Sequence, residues 1–140
     1  MVRALYIDSS AAVKLGAAER ETPALRDFFG QIASEHGTVH LVSSELIVVE
    51  VFRALRRALP DGAMRAREVC NRISTKPINS EMIRFAAFLE PSPLRSLDAV
   101  HLATALSLGE SIQSVVTYDE RMISTCRQLG LATASPSSGD

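Results

Sequence analysis

Along the chain, short apolar runs alternate with longer segments in which apolar positions recur every three or four residues. The first kind predicts buried strands and the second amphipathic helices. "VRALYID" is the first strand, followed by the helix "SSAAVKLGAAER" with Ser9 or Ser10 as its cap. A second helix, "TPALRDFFGQIASEHG", begins at Thr22 ahead of a proline and ends near Gly37. "TVHLVSS" is a short strand. It leads into "SELIVVEVFRALRRALPDG", a helix capped by Ser43 or Ser44 and stopped by Pro60 and Gly62. A helix over 63–73 and an extended piece at "TKPIN" follow. "SEMIRFAAFLEP" is helical up to Pro91 and Pro93, and "SLDAVHLATALSLG" is a mostly apolar helix closed by Gly109. "SIQSVVTYD" is β-rich, "ERMISTCRQLG" is a helix ending in Gly130, and "LATAS" is the last strand.

Strands alternating with helices need crossover connections, which implies an α/β sandwich: a parallel sheet with helices on both faces. Five short strands in 140 residues, with no internal repeat and no linker, make one domain over 1–134. Residues 135–140 are expected to form a flexible tail.

Composition narrows the class without deciding it. A hydrophobic fraction of 46% and a mean hydropathy of +0.11 fit a packed core and exclude a disordered chain. No apolar run approaches the ~20 residues that cross a bilayer. The start, "MVRALYIDSS", is too short and too soon acidic for a signal peptide. Cys70 and Cys126 form no disulfide framework or zinc spacing, so a reducing cytoplasm is the expected home. With a net charge of −1, no global basic field marks a nucleic-acid binder. Only Lys14 and Lys76 are lysines, and arginines bunch at Arg53, Arg56 and Arg57 and again at Arg65, Arg67 and Arg72. Guanidinium suits phosphate, but an arginine-rich genome would give the same bias.

The acids are more informative. In a parallel sheet, ligands bind beyond the carboxyl ends of the strands. Asp8 closes the first strand and Asp119 closes "SVVTYD", so both belong at that edge. The helix over 96–109 feeds a strand and runs antiparallel to it, which brings Asp98 in its first turn to the same edge. Glu50 lies almost two turns into the helix that leaves "TVHLVSS". Each acid also has a plain structural explanation. Asp8 and Asp119 precede helices and would cap them, and Asp98 would complement a helix dipole. Glu50 could pair with Arg53 at i+3, yet its neighbours from Leu46 to Phe52 are nearly all apolar. A half-buried acid there needs a partner. Caps do not predict four acids on one rim. Crowded carboxylates repel unless a cation neutralises them, and an all-oxygen site suits Mg²⁺ or Mn²⁺. Such an ion activates water and stabilises an in-line phosphodiester displacement. Ser9, Ser10 and Thr117 sit beside these acids, as caps or as hydrogen-bond donors to an acid, a metal water or phosphate. His101 lies one turn after Asp98, where a lone histidine is expected to be packed and hydrogen-bonded. His36 and His40 are far from the acids, and no P-loop, GxSxG or dinucleotide GxGxxG is present.

Four segments, "YIDSSAAVKL", "SELIVVEVFRAL", "LRSLDAVHLATAL" and "VVTYDERMISTCRQLG", resemble in order the motifs of PIN-domain ribonucleases, above all the VapC toxins of bacterial toxin–antitoxin pairs. The resemblance spans residues 4 to 130, and its most specific part is DAVHLATA with the T-x-D that follows. It implies a PIN-like three-layer sandwich with a five-stranded parallel sheet and cleavage of RNA with Mg²⁺ or Mn²⁺. Asp8, Glu50, Asp98 and Asp119 fill the acidic positions. By the same resemblance Asp8 and Asp98 are direct metal ligands, Asp119 is a direct or water-mediated one, and Glu50 positions a second ion or the attacking water. A VapB-type antitoxin is the implied partner and a homodimer the implied assembly. Arg53 and Arg57 would hold flanking RNA backbone, and Arg95 would meet RNA phosphate or an antitoxin acid. Two rival functions share the acids: a non-catalytic phosphoacceptor signalling domain, and a DNA- or flap-directed nuclease. The first wants adjacent acids after the first strand and a late lysine, whereas Ser9 and Ser10 follow Asp8 and no lysine follows Lys76.

Overall fold

A computed structural model describes residues 3–91 and 93–138. In chain order it runs β1 (Ala4–Ile7), α1 (Ser9–Gly16), α2 (Thr22–His36), β2 (Leu41–Ser44), α3 (Leu46–Ala58), α4 (Gly62–Cys70), β3 (Ile73–Lys76), α5 (Ser80–Ala87), α6 (Ser96–Leu108), β4 (Ile112–Val116), α7 (Glu120–Gln128) and β5 (Thr133–Ala134). The five strands form one sheet in the order β3-β2-β1-β4-β5, every pair parallel. This is the expected sandwich, and no helix among the described residues is long and apolar enough to cross a membrane.

Alternation along β1 builds the two faces. Leu5 and Ile7 point into a core shared with Ala11, Leu25, Phe29, Ile47, Val51 and Leu55 of α1–α3. Tyr6, one residue out of phase, points to the other side among Leu102, Ala105, Met122 and Cys126 of α6 and α7. The chain builds outward from β1 through β2 to β3, then crosses back to β4. The strand order therefore reverses between β1 and β4, where a crevice opens at the carboxyl edge of such sheets.

Local details differ from expectation in physically clear ways. Asp8, not Ser9 or Ser10, caps α1, accepting from the Ala11 N–H. Glu45 stands at the N-cap of α3 without a side-chain bond to the helix, its Oε1 accepting from the Ile78 N–H, and the Ser44 hydroxyl accepts from the Leu46 N–H instead. The fourth helix stops at Cys70, which releases Ile73–Lys76 to pair with β2, so the extended piece starts ahead of "TKPIN". Gly37 ends α2 at φ +84°, in the left-handed region that favours glycine. In the expected tail, the Ser135 hydroxyl donates to the Thr117 carbonyl and Pro136 O accepts from Tyr118 Oη. Residues 139 and 140 of that tail lie outside the described residues.

Candidate active site

Three of the four acids come from strand–helix junctions or a helix start at the carboxyl edge. Asp8 follows β1, Asp119 follows β4, and Asp98 sits in the first turn of α6. Asp8 and Asp119 do serve as helix caps. Asp119 Oδ1 accepts from the backbone N–H groups of Arg121 (2.9 Å) and Met122 (3.4 Å). Capping and a place on the rim are compatible, because in a parallel sheet the orphan N–H groups of the following helix lie beside the crevice.

Asp8 is 4% exposed, and its carboxylate is held on both oxygens. The Ser10 hydroxyl donates to Oδ1 (2.6 Å) and the Thr117 hydroxyl to Oδ2 (2.6 Å). Burial raises the pKa of this acid above the usual carboxylate range, while the two hydroxyls pull it back. Thr117 and Ser10 are tied into the backbone as well. The Thr117 hydroxyl accepts from the Asp119 N–H (3.1 Å) and that of Ser10 from the Tyr118 N–H (2.8 Å). Both residues thus take the acid-bonding role among the alternatives that sequence allowed them.

Asp98 and Asp119 are linked by Arg95. Its Nε–H donates to Asp98 Oδ2 (3.1 Å), and Nη2 reaches Asp119 Oδ2 (3.5 Å). Arg95 was expected to meet phosphate or a partner's acid; here it neutralises two acids of its own chain. Beside it, Pro91, Pro93, Leu94, Asp98, Arg121 and Thr125 line a cleft of about 240 Å³. Arg121 was not anticipated. Its place in the first turn of α7, beside the Asp119 cap, is the signal that would have found it.

Glu50 takes a different position. Its side chain is 20% exposed, and Oε1 lies 2.6 Å from His101 Nε2, while no bond joins it to Asp8, Asp98 or Asp119 among the described residues. The half-buried acid has a partner, but it is His101 on α6 rather than Arg53. His101, 3% exposed, was expected to be packed and hydrogen-bonded, and it is both. Its partner across 51 residues could not be foreseen from local spacing. Arg53 and Arg57 stand exposed on α3, outside the bonds that link the acids.

The donors at this edge are carboxylate and hydroxyl oxygens, the chemistry that fits a hard divalent cation. Arg95 bridging two of the carboxylates shows that they face a common positive charge. No three of the acids among the described residues are gathered closely enough to enclose an ion.

Comparison with known proteins agrees with this architecture. The PIN domain family matches residues 5–128. Ribonuclease VapC47 of Mycobacterium tuberculosis is 37% identical over 133 residues, covering 94% of this chain and 96% of the relative. Ribonuclease VapC46 of the same organism is 37% identical over 134 residues, covering 96% and 98%. Among solved structures, Mycobacterium tuberculosis VapC20, described as a sarcin-ricin loop cleaving toxin, superposes with a TM-score of 0.69 at 15% identity, covering 95% of this chain and all of that one. A toxin–antitoxin complex from Klebsiella pneumoniae gives 0.63 at 16% identity, covering 97% and 99%. At those identities the two structures establish the shared fold. The chain belongs to the PIN-domain family and, within it, to the VapC proteins.

Proposed function

We propose that this protein is a metal-dependent endoribonuclease, the toxin of a toxin–antitoxin pair. The observation that carries the reading is the placing of Asp8 and Asp119 at the ends of the adjacent strands β1 and β4, with Thr117 bonded to both, Arg95 joining Asp98 to Asp119, and Asp8 held by two hydroxyl donors despite its burial. The names of the VapC relatives supply ribonuclease activity as the chemistry to expect, and the Klebsiella complex supplies an antitoxin as the partner to expect. A VapB-type antitoxin and a homodimer are therefore part of the proposal.

Asp8, Asp98 and Asp119 would hold Mg²⁺ or Mn²⁺. When bound, the ion offsets the carboxylate charge, makes water a better nucleophile and stabilises the phosphorane-like transition state. The chain's own residues do the rest. Ser10 and Thr117 favour the ionised form of Asp8 by donating to it, against the effect of burial. Glu50, at the side of the rim, orients the attacking water and takes its proton. Arg95 and Arg121 line the cleft where the scissile phosphate would lie, and Arg53 and Arg57 extend the positive surface for the flanking backbone. The acidic set by itself serves RNA and DNA alike, so the RNA preference rests on the relatives.

The test is cleavage of matched RNA and DNA hairpins with Mg²⁺ or Mn²⁺, by the protein and by Asp98→Asn. Cleavage of RNA alone, lost in a folded Asp98→Asn, is expected. Undiminished RNA cleavage by that variant would sink the mechanism, and cleavage of the DNA hairpin alone would move the protein to the DNA-directed alternative. A stable acyl phosphate on Asp8 would favour the phosphoacceptor alternative.

A further inference from the structure

The helix α6 carries a buried histidine that the metal chemistry does not use. His101 Nδ1 lies 2.7 Å from the Tyr6 hydroxyl, and His101 Nε2 lies 2.6 Å from Glu50 Oε1. The Tyr6 oxygen in turn accepts from the Ser44 backbone N–H at 3.1 Å. One line of hydrogen bonds therefore runs from the end of β2, through a tyrosine of β1 and a histidine of α6, to the acid of α3. All its inner members are buried: Tyr6 is 1% and His101 3% exposed.

The direction of this line follows from donor counting. A phenol keeps its proton at neutral pH. Its oxygen already accepts from Ser44, and its own hydrogen needs an acceptor, which Nδ1 provides only when it is unprotonated. With Nδ1 as the acceptor, the ring proton would sit on Nε2 and be donated to Glu50. Every donor in the line then points the same way, toward the carboxylate. The Tyr6 and His101 rings also meet edge to face at 5.8 Å between centroids, which fixes the plane of the imidazole.

We infer that Tyr6 and His101 are positioning residues for Glu50: the tyrosine sets the histidine tautomer, and the histidine pins Glu50 Oε1 so that Oε2 alone is offered to the rim. This deepens the proposed nuclease reading, since it gives Glu50 a fixed orientation for the attacking water. It also accounts for an acid placed almost two turns into an apolar helix. Without a partner the carboxylate would swing toward bulk solvent or lose its charge.

The test has an arm that needs no activity and an arm that does. In metal-free protein labelled with ¹⁵N-histidine, the His101 nitrogens should show protonated Nε2 and bare Nδ1. Tyr6→Phe should abolish that single tautomer, and Glu50→Gln should shift the Nε2–H resonance. A protonated Nδ1 with bare Nε2 would overturn the inference whatever the protein catalyses. In the cleavage assay, Tyr6→Phe should lower kcat about 10- to 100-fold, the usual cost of losing an outer hydrogen-bond partner, with KM little changed. Combined with Glu50→Gln it should cause no further loss. His101→Gln, whose amide still donates toward Glu50, should recover part of what His101→Leu loses. Equal losses from Tyr6→Phe in the presence and absence of Glu50 would refute the positioning role, as would failure of His101→Gln to exceed His101→Leu. A wild-type chain that cleaves no RNA but shows the expected tautomer would instead fault the nuclease reading and leave the pairing intact.

Discussion

Thr117→Val probes how the buried carboxylate of Asp8, a proposed cation ligand, is supported by its hydroxyl donors. Thr117 is fully buried at the end of β4, and valine keeps its shape while removing the hydroxyl. Three bonds go with it: the 2.6 Å donation to Asp8 Oδ2, the acceptor of the Asp119 N–H, and a longer, weaker one at 3.3 Å to the Ser10 hydroxyl. A buried bond to a charged acceptor is worth about 1.5–3 kcal/mol and the second bond about 0.5–1, so the variant should be about 2–4 kcal/mol less stable at pH 7.5. For a 140-residue chain that lowers Tm by roughly 7–14 °C. The loss should also depend on pH. Burial raises the folded-state pKa of Asp8, and the Thr117 hydroxyl opposes that rise, so its removal raises the pKa further. A raised carboxylate pKa makes the folded state the better proton binder, and stability then falls as pH rises through it. Relative to the parent, the variant should lose most above that raised pKa and recover as pH falls through it, where a neutral bond worth about 1 kcal/mol is all that is missing. Urea titrations of both proteins at pH 7.5 and 4.5, in chelator, measure this. An identical difference at the two pH values, or a larger one in acid, would refute the claim that Thr117 supports the ionised form of Asp8.

Arg95→Gln removes the cation that already bridges Asp98 and Asp119. The pair is largely solvent-exposed on the arginine side and worth at most about 1 kcal/mol, so calorimetry at low salt should show Mn²⁺ binding about two- to fivefold tighter; weaker binding would contradict the competition. Gly62→Ala drives a Cβ into the backbone carbonyl of Leu55, where α3 and α4 meet, and should cost about 3 kcal/mol or more in denaturant titrations; a loss under about 1 would show that the two helices separate easily. Cys126 is buried, and burial with the nearby Asp8 charge pushes its thiol up to about 12. A thiol reagent should therefore modify Cys70 first and reach Cys126 only in unfolded protein, as peptide mapping would show.

The fold was legible because each element announces itself locally. Leu5 and Val42 sit in short apolar runs, while Ile47, Val51 and Leu55 repeat at helical spacing, and the alternation of the two patterns leaves a parallel sheet as the simple solution. The limits of the third strand were less legible, since Ser74, Thr75 and Lys76 are exposed on an edge strand and carry no apolar signal. The acids at 8, 98 and 119 could be placed on one rim from topology alone. What no local pattern shows is which side chain answers which. Tyr6 and His101 are 95 residues apart, and they meet because β1 is central and α6 crosses behind it. The same holds for Arg95, whose reach to Asp119 depends on how the start of α6 lies against the end of β4.

Among the three rim acids, local structural work is unevenly shared, and that decides which substitution is the cleanest probe. Asp8 and Asp119 cap helices through their own carboxylates, so replacing either perturbs a backbone N–H as well as the site. Asp98 accepts only from the exposed Arg95 and bonds to no backbone group of α6 among the described residues. Its structural benefits are the exposed pair with Arg95, worth at most about 1 kcal/mol, and the first-turn dipole, worth about 0.3–1 kcal/mol, and asparagine retains the shape and part of the polarity. A loss of cleavage in Asp98→Asn with Tm held within roughly 3 °C would therefore report on chemistry rather than folding. The same loss in Asp8→Asn would not separate the two, because there the cap, the two hydroxyl donors and the proposed cation all meet on one side chain.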